Sequence, residues 1–454
     1  MNPSIFKSYD IRGIYPLEIN AEIVYKIARA VVVYTGAHAV VVGRDMRVSS
    51  PELAEAVIRG VTDQGADVID IGLASTPLFY FSVADYDAHD AGIMITASHN
   101  PKEYNGLKII RGDAQAIGLE SGLADIRDLA MAGDFPDVAR GSISEIDTRE
   151  AYIEKIFTFV SPASCGALKV VADAGNGMGG LLIADIFKNL SCELVPLHLE
   201  LDGNFPNHEA NPVKEENLAD LKKKVLERGA DLGVAYDGDA DRIGFVDSRG
   251  QMVRGDMLAV LLAKEILKKS QGALILGDVR MTNAFREEVE GTGGIFHFCK
   301  VGHANIKRQM KEDGARFAGE LSAHYYFADF PGIESGDLAM LYILAAISVS
   351  GRPLSELAAE YGRYFHSGEI NFTVADKEKI IAAAKDKYAP AANAGQAGEV
   401  SVLEIDGLRV DFPDWWFLLR ASNTEPLLRL NLEATTKELL EEKKNELQNF
   451  ILGN

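Results

Sequence analysis

The chain is expected to be an α/β protein: three similar mixed α/β domains in series, then a smaller C-terminal α+β domain. Three observations predict this. Apolar runs bounded by Gly or Asp alternate with stretches of helical periodicity over the first three-quarters of the chain, as strand–helix units with parallel sheets require. Three of these runs, Val40 to Asp45, Lys169 to Asp173 and Leu274 to Asp278, each end on a small residue and an Asp. They recur at intervals of roughly 100 to 130 residues, a domain-sized period. Past Gly368 the texture changes to short runs and hairpin turns.

In chain order, Ala39 to Gly43 reads as a strand leading to a helix at Ser50-Pro51-Glu52, with Ser50 as N-cap and Pro51 in the first turn. Ala91 to Ile95, Asp231 to Ala235 and Ala315 to Ala318 read as strands, each running into a polar loop. Leu338 to Val349 is the longest apolar run; it is too short to span a bilayer and reads as a buried helix. Val400 to Ile405, an Asp406-Gly407 turn, Leu408 to Phe412, Trp415 to Arg420 and Leu427 to Leu432 predict antiparallel strands, and a helix closes the chain from Lys437 to Ile451. The implied boundaries are 1–148, 149–253, 254–365 and 366–454, with a hinge near His366-Ser367-Gly368.

The composition, 47% hydrophobic and 25% charged, is that of a folded globular protein. A formal charge of −21 repels polyanions, so nucleic acid and anionic membranes are excluded as expected partners, while a local cluster of Arg and Lys can still bind a small phosphate ester. Cys165, Cys192 and Cys299 form neither a disulfide framework nor a zinc spacing. With no secretion-type leader at the N-terminus, the cytoplasm is the expected location.

Four loops carry chemistry. Thr96-Ala97-Ser98-His99-Asn100-Pro101 follows a strand, and Pro101 stops any helix there, so Ser98 can face a cleft. Alone it reads as an ordinary turn. It lacks the glycines of a hydrolase elbow, and His99 is expected on the opposite side of an extended chain.

Asp237-Gly238-Asp239-Ala240-Asp241-Arg242 is the stronger signal: alternation puts three carboxylates on one side, and Gly238 and Ala240 let the stretch curl around one hard cation. Oxygen-only ligation favours Mg²⁺ over zinc. Without an ion, repulsion should drive at least one Asp toward protonation. A phosphate oxygen on Ser98 would complete the set, and Arg242 adds positive charge where phosphoryl charge develops.

Arg420-Ala421-Ser422-Asn423-Thr424-Glu425-Pro426, with Arg429 beyond it, offers the donors a phosphate dianion needs, although by itself it could be a polar hairpin turn. Glu320, Ser322 and His324, at alternate positions in Gly319-Glu320-Leu321-Ser322-Ala323-His324, make a polar rake suited to sugar hydroxyls and by themselves read as a solvated loop. Lys108 and His303 are the candidates for moving a sugar hydroxyl's proton.

Taken in order, these four loops resemble the signature loops of the α-D-phosphohexomutases, closest in texture to the bacterial phosphomannomutase and bispecific phosphomannomutase/phosphoglucomutase type, and the likeness covers the whole chain. The resemblance implies a heart-shaped, four-domain molecule whose loops meet in a central cleft. It implies an isomerase that interconverts a hexose 6-phosphate and 1-phosphate, mannose ahead of glucose, through phosphoserine and a hexose 1,6-bisphosphate that also serves as activator. Ser98 matches the phosphorylated serine and, with Asp237, Asp239 and Asp241, the ligands of one Mg²⁺ per chain. Glu320 and Ser322 match the sugar contacts, Arg420, Ser422, Asn423 and Thr424 the phosphate clamp, and Tyr9, Arg12, Lys108, Arg242, His303, His324 and Arg429 the remaining cleft positions. The partners it implies are small sugar phosphates, with monomer and dimer both left open.

Two departures from the family pattern stand out. Arg280 replaces the usual Lys, so a fork stands where a point donor is expected. Ala323 replaces a Gly in the sugar loop and is expected to restrict it, while Leu321, where glucosamine-specific relatives carry Gln, disfavours phosphoglucosamine.

Three rival readings remain. Gly175-Asn176-Gly177-Met178-Gly179-Gly180 fits a dinucleotide fingerprint, but Asp173 and Ala174 intervene after the strand and an Asp suits a pyrophosphate poorly. A nucleotide-sugar transferase could use Asp-x-Asp but needs no Ser98 loop. A catalytically silent sugar-phosphate-binding protein would carry the same loops.

Overall fold

The computed structural model describes residues 1–388, 400–421 and 427–453. Each strand of the sequence repeat lies inside its own sheet, parallel to both neighbours. Ala39–Arg44 runs between Asp67–Leu73 and Ala91–Ile95, Lys169–Asp173 between Glu193–Leu197 and Leu232–Tyr236, and Leu274–Asp278 between Ile295–Cys299 and Phe317–Gly319. Cover on both faces explains why these strands read as unbroken Val/Ile/Leu runs instead of alternating.

In every sheet one of these neighbours turns back into an antiparallel strand. Ala91–Ile95 returns as Tyr104–Arg111, Leu232–Tyr236 as Ile243–Asp247, and Phe317–Gly319 as Tyr325–Phe327. The fourth sheet is antiparallel in all its described pairings, and Trp415–Ala421 returns as Leu427–Ala434. All four chemistry-bearing loops are this one connection, repeated. The fourth, with Ser422, Asn423 and Thr424, lies outside the described residues.

The first three domains share a core. One apolar cluster runs from Phe79 and Tyr80 through Tyr236 and Phe245 to Leu338–Leu344 of the buried helix Gly336–Ser350. That helix carries Asp337, whose carboxylate accepts from the hydroxyls of Tyr152 and Tyr236, both at 2.9 Å. The fourth domain keeps its own core around Phe417, Leu430 and Leu447. It meets the third partly across a polar seam, where buried Arg409 donates to the carbonyl of Val279 (2.8 Å) and to Asn283 (2.7 Å) and lies 3.8 Å over Trp416. A shared apolar core costs far more to open than such a seam, so the fourth domain is the part best able to move.

Several expectations shift. The helix Ser50–Asp63 places Ser49 at the cap and Ser50 inside, because the Ser50 hydroxyl is drawn 2.5 Å from Asp45. The strands Phe365–His366 and Ile370–Thr373 and the helix Lys377–Tyr388 were not expected, and the first of them already pairs into the fourth sheet. The Asp406-Gly407 turn does join Ser401–Leu403 to Leu408–Asp411, with Gly407 at φ 93°. The final helix spans Lys437–Leu452. All three cysteines are buried and free, and among the described residues no helix is long and apolar enough to cross a membrane.

Candidate active site

Ser98 is buried, at φ 49° in the left-handed region. The chain is therefore not extended here, and His99 does not point away: its Nδ1 lies 3.2 Å from the Ser98 hydroxyl, correcting the sequence expectation. Positive φ in a non-glycine costs about 1 kcal/mol or more and persists only where the surroundings enforce it. Arg47 does so. Fully buried and paired with Asp45, it donates to the carbonyls of Ser98 (2.8 Å), Asn100 (2.7 Å), Pro101 (2.8 Å) and Tyr104 (3.0 Å). Arg12 adds a hydrogen bond to the Asn100 side chain.

The Ser98 hydroxyl donates to Asp237 across 3.0 Å, joining loops of two domains. Asp237, Asp239 and Asp241 are buried, with one oxygen of each lying within 4.8 Å of the others. The curl comes from Ala240, at φ 63°. Gly238 has a different role from the one expected: a Cβ there would lie 2.3 Å from the Ser98 carbonyl oxygen, so its missing side chain is what lets the two loops touch.

Lys108 donates to Asp239 (2.7 Å) and Asp241 (2.5 Å), its ammonium standing between them as a cation would. Arg242 donates to Asp237 at 2.9 Å, and Thr76 to Asp239 at 2.6 Å. One oxygen of Asp239 is buried with no hydrogen-bond partner among the described residues. Burial, then the neighbouring Asp241, pushes Asp237 up to about 7, whereas Lys108 and His324 overcome burial and hold Asp241 well below the usual carboxylate range. One of the three carboxyls is thus driven toward protonation, burial adding to the like-charge repulsion.

His324 bridges this cluster and the sugar loop. Its Nε2 lies 3.3 Å from Asp241, and its Nδ1 2.9 Å from both Glu320 and the Ser322 hydroxyl. Burial opposes its charge, but the two carboxylates prevail and push it up to about 10. Arg280 spends its fork on Asp278, at 3.0 and 2.8 Å, and reaches Glu320 at 3.3 Å, while the other side of the loop is pinned by the Leu321 amide donating to Asp278 at 2.7 Å. Ala323 sits at φ 70°, a conformation that a glycine would hold at no cost, so the expected restriction of this loop has a backbone cause.

A cleft of ≈ 620 Å³ is lined by Tyr9, Arg12, Ser98, Lys108, Arg242, Arg280, His303, Glu320, Ser322, His324, Arg420 and Arg429. Every sequence-predicted site residue within the described part of the chain either lines this cleft or, like Asp237 and Asp239, bonds a residue that does. Tyr9 donates to the carbonyl of Val301 at 2.9 Å, holding the first and third domains together at its edge. Arg420 stands 3.6 Å from Glu369 and 3.8 Å from Asp406, too far for good hydrogen bonds, and its buried Nε has none among the described residues. The half-buried His303 has both ring nitrogens out of solvent and without hydrogen-bond partners among the described residues, and desolvation, then Lys307, pushes its pKa well down.

Sequence reasoning missed Arg47 and Thr76, since neither sits in a polar loop motif; the only hint was Arg44-Asp45-Met46-Arg47 directly after a strand. The glycine-rich turn after Asp173 is not a pyrophosphate cradle. Gly177 packs against Gly238, Gly179 against the Tyr236 ring and Gly180 against the Leu199 carbonyl, and the Met178 amide donates to Gly238 at 2.9 Å. The turn is a buttress for the aspartate loop.

Four family models match the chain in succession: phosphoglucomutase/phosphomannomutase alpha/beta/alpha domains I, II and III over residues 3–136, 150–250 and 254–364, and the C-terminal domain over 369–449. A phosphomannomutase of Salmonella montevideo is 40% identical, covering 97% of this chain and 99% of its own. A phosphomannomutase/phosphoglucomutase of Pseudomonas aeruginosa is 38% identical over 99% of this chain and 95% of its own. The crystal structure of a phosphoglucomutase/phosphomannomutase family protein from Burkholderia thailandensis superimposes with a TM-score of 0.89 at 35% identity, covering 99% of this chain and 97% of that one.

Proposed function

Because this chain belongs to the phosphoglucomutase/phosphomannomutase family, we propose that it is an isomerase interconverting hexose 6-phosphates and hexose 1-phosphates, mannose ahead of glucose, by passing a phosphoryl group through Ser98. The observation that carries this reading is the 3.0 Å contact between the Ser98 hydroxyl and Asp237, residues 139 apart in sequence.

Asp237, Asp239 and Asp241 fit a hard divalent cation: they offer oxygen donors only, a buried oxygen of Asp239 lacks a hydrogen-bond partner among the described residues, and Lys108 already stands in for positive charge among them. Mg²⁺ held there with an oxygen on Ser98 would neutralise charge on the transferring phosphoryl group.

The chain's own residues do the rest. The cage around Arg47 fixes Ser98 at the cleft, and Arg242 faces the same oxygens. As the phosphorus–oxygen bond to Ser98 breaks, a bond forms to O1 or O6 of the sugar, whose hydroxyl proton needs an acceptor. His303 suits that role better than Lys108, because an imidazole with no hydrogen-bond partner among the described residues and a pKa pushed well down is neutral at pH 7, whereas Lys108 is held charged by two aspartates. The bisphosphate then turns over, its other phosphoryl returns to Ser98, and His303 gives the proton back, leaving the isomer and a restored phosphoserine.

Glu320, Ser322 and His324 are assigned to the sugar hydroxyls. Tyr9, Arg12, Arg280, Arg420 and Arg429, with Ser422, Asn423 and Thr424 of the fourth loop, are assigned to the distal phosphate. Water must be kept from the phosphoryl group, and closure of the fourth domain across its polar seam would do so.

A coupled assay on mannose 1-phosphate, glucose 1-phosphate and glucosamine 1-phosphate, with and without Mg²⁺, tests reaction, metal and specificity together. Turnover of the first two, dependent on Mg²⁺ and lost by at least about 10³-fold in Ser98→Ala, is expected. Near-normal turnover in Ser98→Ala overturns the proposal.

A further inference from the structure

We propose that the second domain carries a separate site for a divalent transition metal, zinc by its donor set, formed by Asp173, His198 and His208. The site goes beyond the mutase reading and does not depend on it. One donor atom each from Asp173, His198 and His208 falls within 4.8 Å of the others, at the strand ends Asp173 and Leu197.

The hydrogen bonds around His208 fix what faces what. Its Nδ1 lies 2.9 Å from the carbonyl of Glu209, which can only accept, so Nδ1 carries the proton. In the neutral ring Nε2 then presents a lone pair, and it lies 3.0 Å from Oδ2 of Asp173, which presents another. Two lone pairs at that distance require a cation between them, either a second proton or a metal ion.

A proton would account for His208 alone. His198 is the observation it leaves over: its Nε2 is buried with no hydrogen-bond partner among the described residues, and it lies 3.5 Å from Oδ2 of Asp220. Tetrahedral zinc with bonds of about 2.1 Å sets its ligand atoms about 3.4 Å apart; the 3.0 Å between His208 Nε2 and Asp173 Oδ2 is close to that, and a donor atom of His198 lies within 4.8 Å of theirs. The outer shell is also in place. Asp173 is fully buried and accepts on Oδ1 from the Gly175 amide at 2.9 Å, and the His208 carbonyl contact orients its ring as second-shell partners do for zinc ligands. Two imidazoles and a carboxylate suit zinc, whereas the oxygen-only cluster at Asp237 suits magnesium.

Three protein ligands leave the fourth position of a tetrahedron to water. The site's place in the fold gives it something to hold. Gly175 begins the turn whose Gly177 and Met178 pack against Gly238, so an ion pinning Asp173 to His198 and His208 would stiffen the support of the aspartate loop.

Co²⁺ distinguishes the two sites, because a tetrahedral N/O site absorbs strongly in the visible and an octahedral oxygen site weakly. Full-length protein freed of metal with chelator is titrated with Co²⁺, and separately its melting temperature is recorded with Zn²⁺. The comparison variants are His208→Gln, His198→Asn, chosen because Asn tolerates the φ of 48° at that position, and Asp239→Asn in the other site. The intense band, and a rise in melting temperature of about 2 °C or more at a zinc concentration roughly a hundredfold above its dissociation constant, are expected in the native chain and in Asp239→Asn. Both should vanish in each histidine variant. If His208→Gln fails to fold, His198→Asn alone decides. A native chain with neither band nor stabilisation, or a band that survives in a folded histidine variant, overturns the site and leaves His208 and Asp173 as a simple ion pair.

Discussion

Adding a single methyl group at Gly238 should separate the two halves of the catalytic centre without removing any functional group. A Cβ there would meet the Ser98 carbonyl oxygen at 2.3 Å and the Ser98 carbonyl carbon at 3.2 Å, against ordinary contacts that begin near 3.4 Å. The opposing atoms are backbone, so no rotamer change relieves the overlap, and Arg47 prevents the serine loop from yielding on its own. The loops must part by roughly 1 Å, and a misplacement of that size costs about 10²-fold in rate, or about 2.7 kcal/mol in the barrier. Gly238→Ala should therefore lose kcat about 10²-fold in the Mg²⁺-dependent mutase assay, with KM for the sugar phosphate nearly unchanged because the distal arginines are untouched. Gly291→Ala, where nothing lies within 4 Å of the added atom, is the matched control. A folded Gly238→Ala enzyme with kcat within about threefold of native would refute the claim that these loops must touch.

Lys108→Met removes a charge that faces two carboxylates at 2.7 and 2.5 Å. Each attraction is worth about 4 kcal/mol at an effective dielectric near 20, offset by the ammonium's own desolvation, so a net loss of about 3–5 kcal/mol is expected in denaturant titrations without metal. Mg²⁺ should recover much of it, and a loss below about 1 kcal/mol would contradict this account. Asp237, pushed up to about 7, holds a proton in the folded state that the unfolded chain releases near pH 4; its contribution is therefore fully present at low pH and fades as pH rises from about 4 through 7. Mg²⁺ binding at about pH 6 should displace that proton, seen in calorimetry as a heat that depends on the buffer's ionisation enthalpy and that no longer does so by about pH 8; identical heats in both buffers at pH 6 would count against it. Arg420→Ala should raise KM at least about tenfold with a smaller change in kcat, and an unchanged KM would remove Arg420 from the phosphate clamp.

The parallel strands were legible because their two-sided burial writes unbroken apolar runs, and the polar loops because each follows such a run directly. What could not be read was the side on which a loop's atoms end up. His99 looked set to point away from Ser98 because alternation assumes an extended chain, and only the fold reveals the left-handed serine that turns it back. The expected N-cap at Ser50 slipped by one residue for a related reason: a tertiary acceptor, Asp45, outbid the local helix terminus for the hydroxyl. Lys108 and His303 stood side by side as candidates for moving a proton, because the position of Lys108 opposite Asp239 and Asp241 depends on how two domains meet, which no local pattern encodes. The short strands Phe365–His366 and Ile370–Thr373 lack periodicity of their own and exist because Leu427–Ala434 offers an edge to pair with.

The guanidinium of residue 47 holds only main-chain oxygens on its neighbour loop, so nothing it grips changes when the serine exchanges its hydroxyl for a phosphoester. The mounting of the nucleophile is indifferent to the chemical state of what it mounts. Such an arrangement lets the same oxygen act as donor in one half of a cycle and acceptor in the other, with no intervening rearrangement of the loop to slow the return stroke.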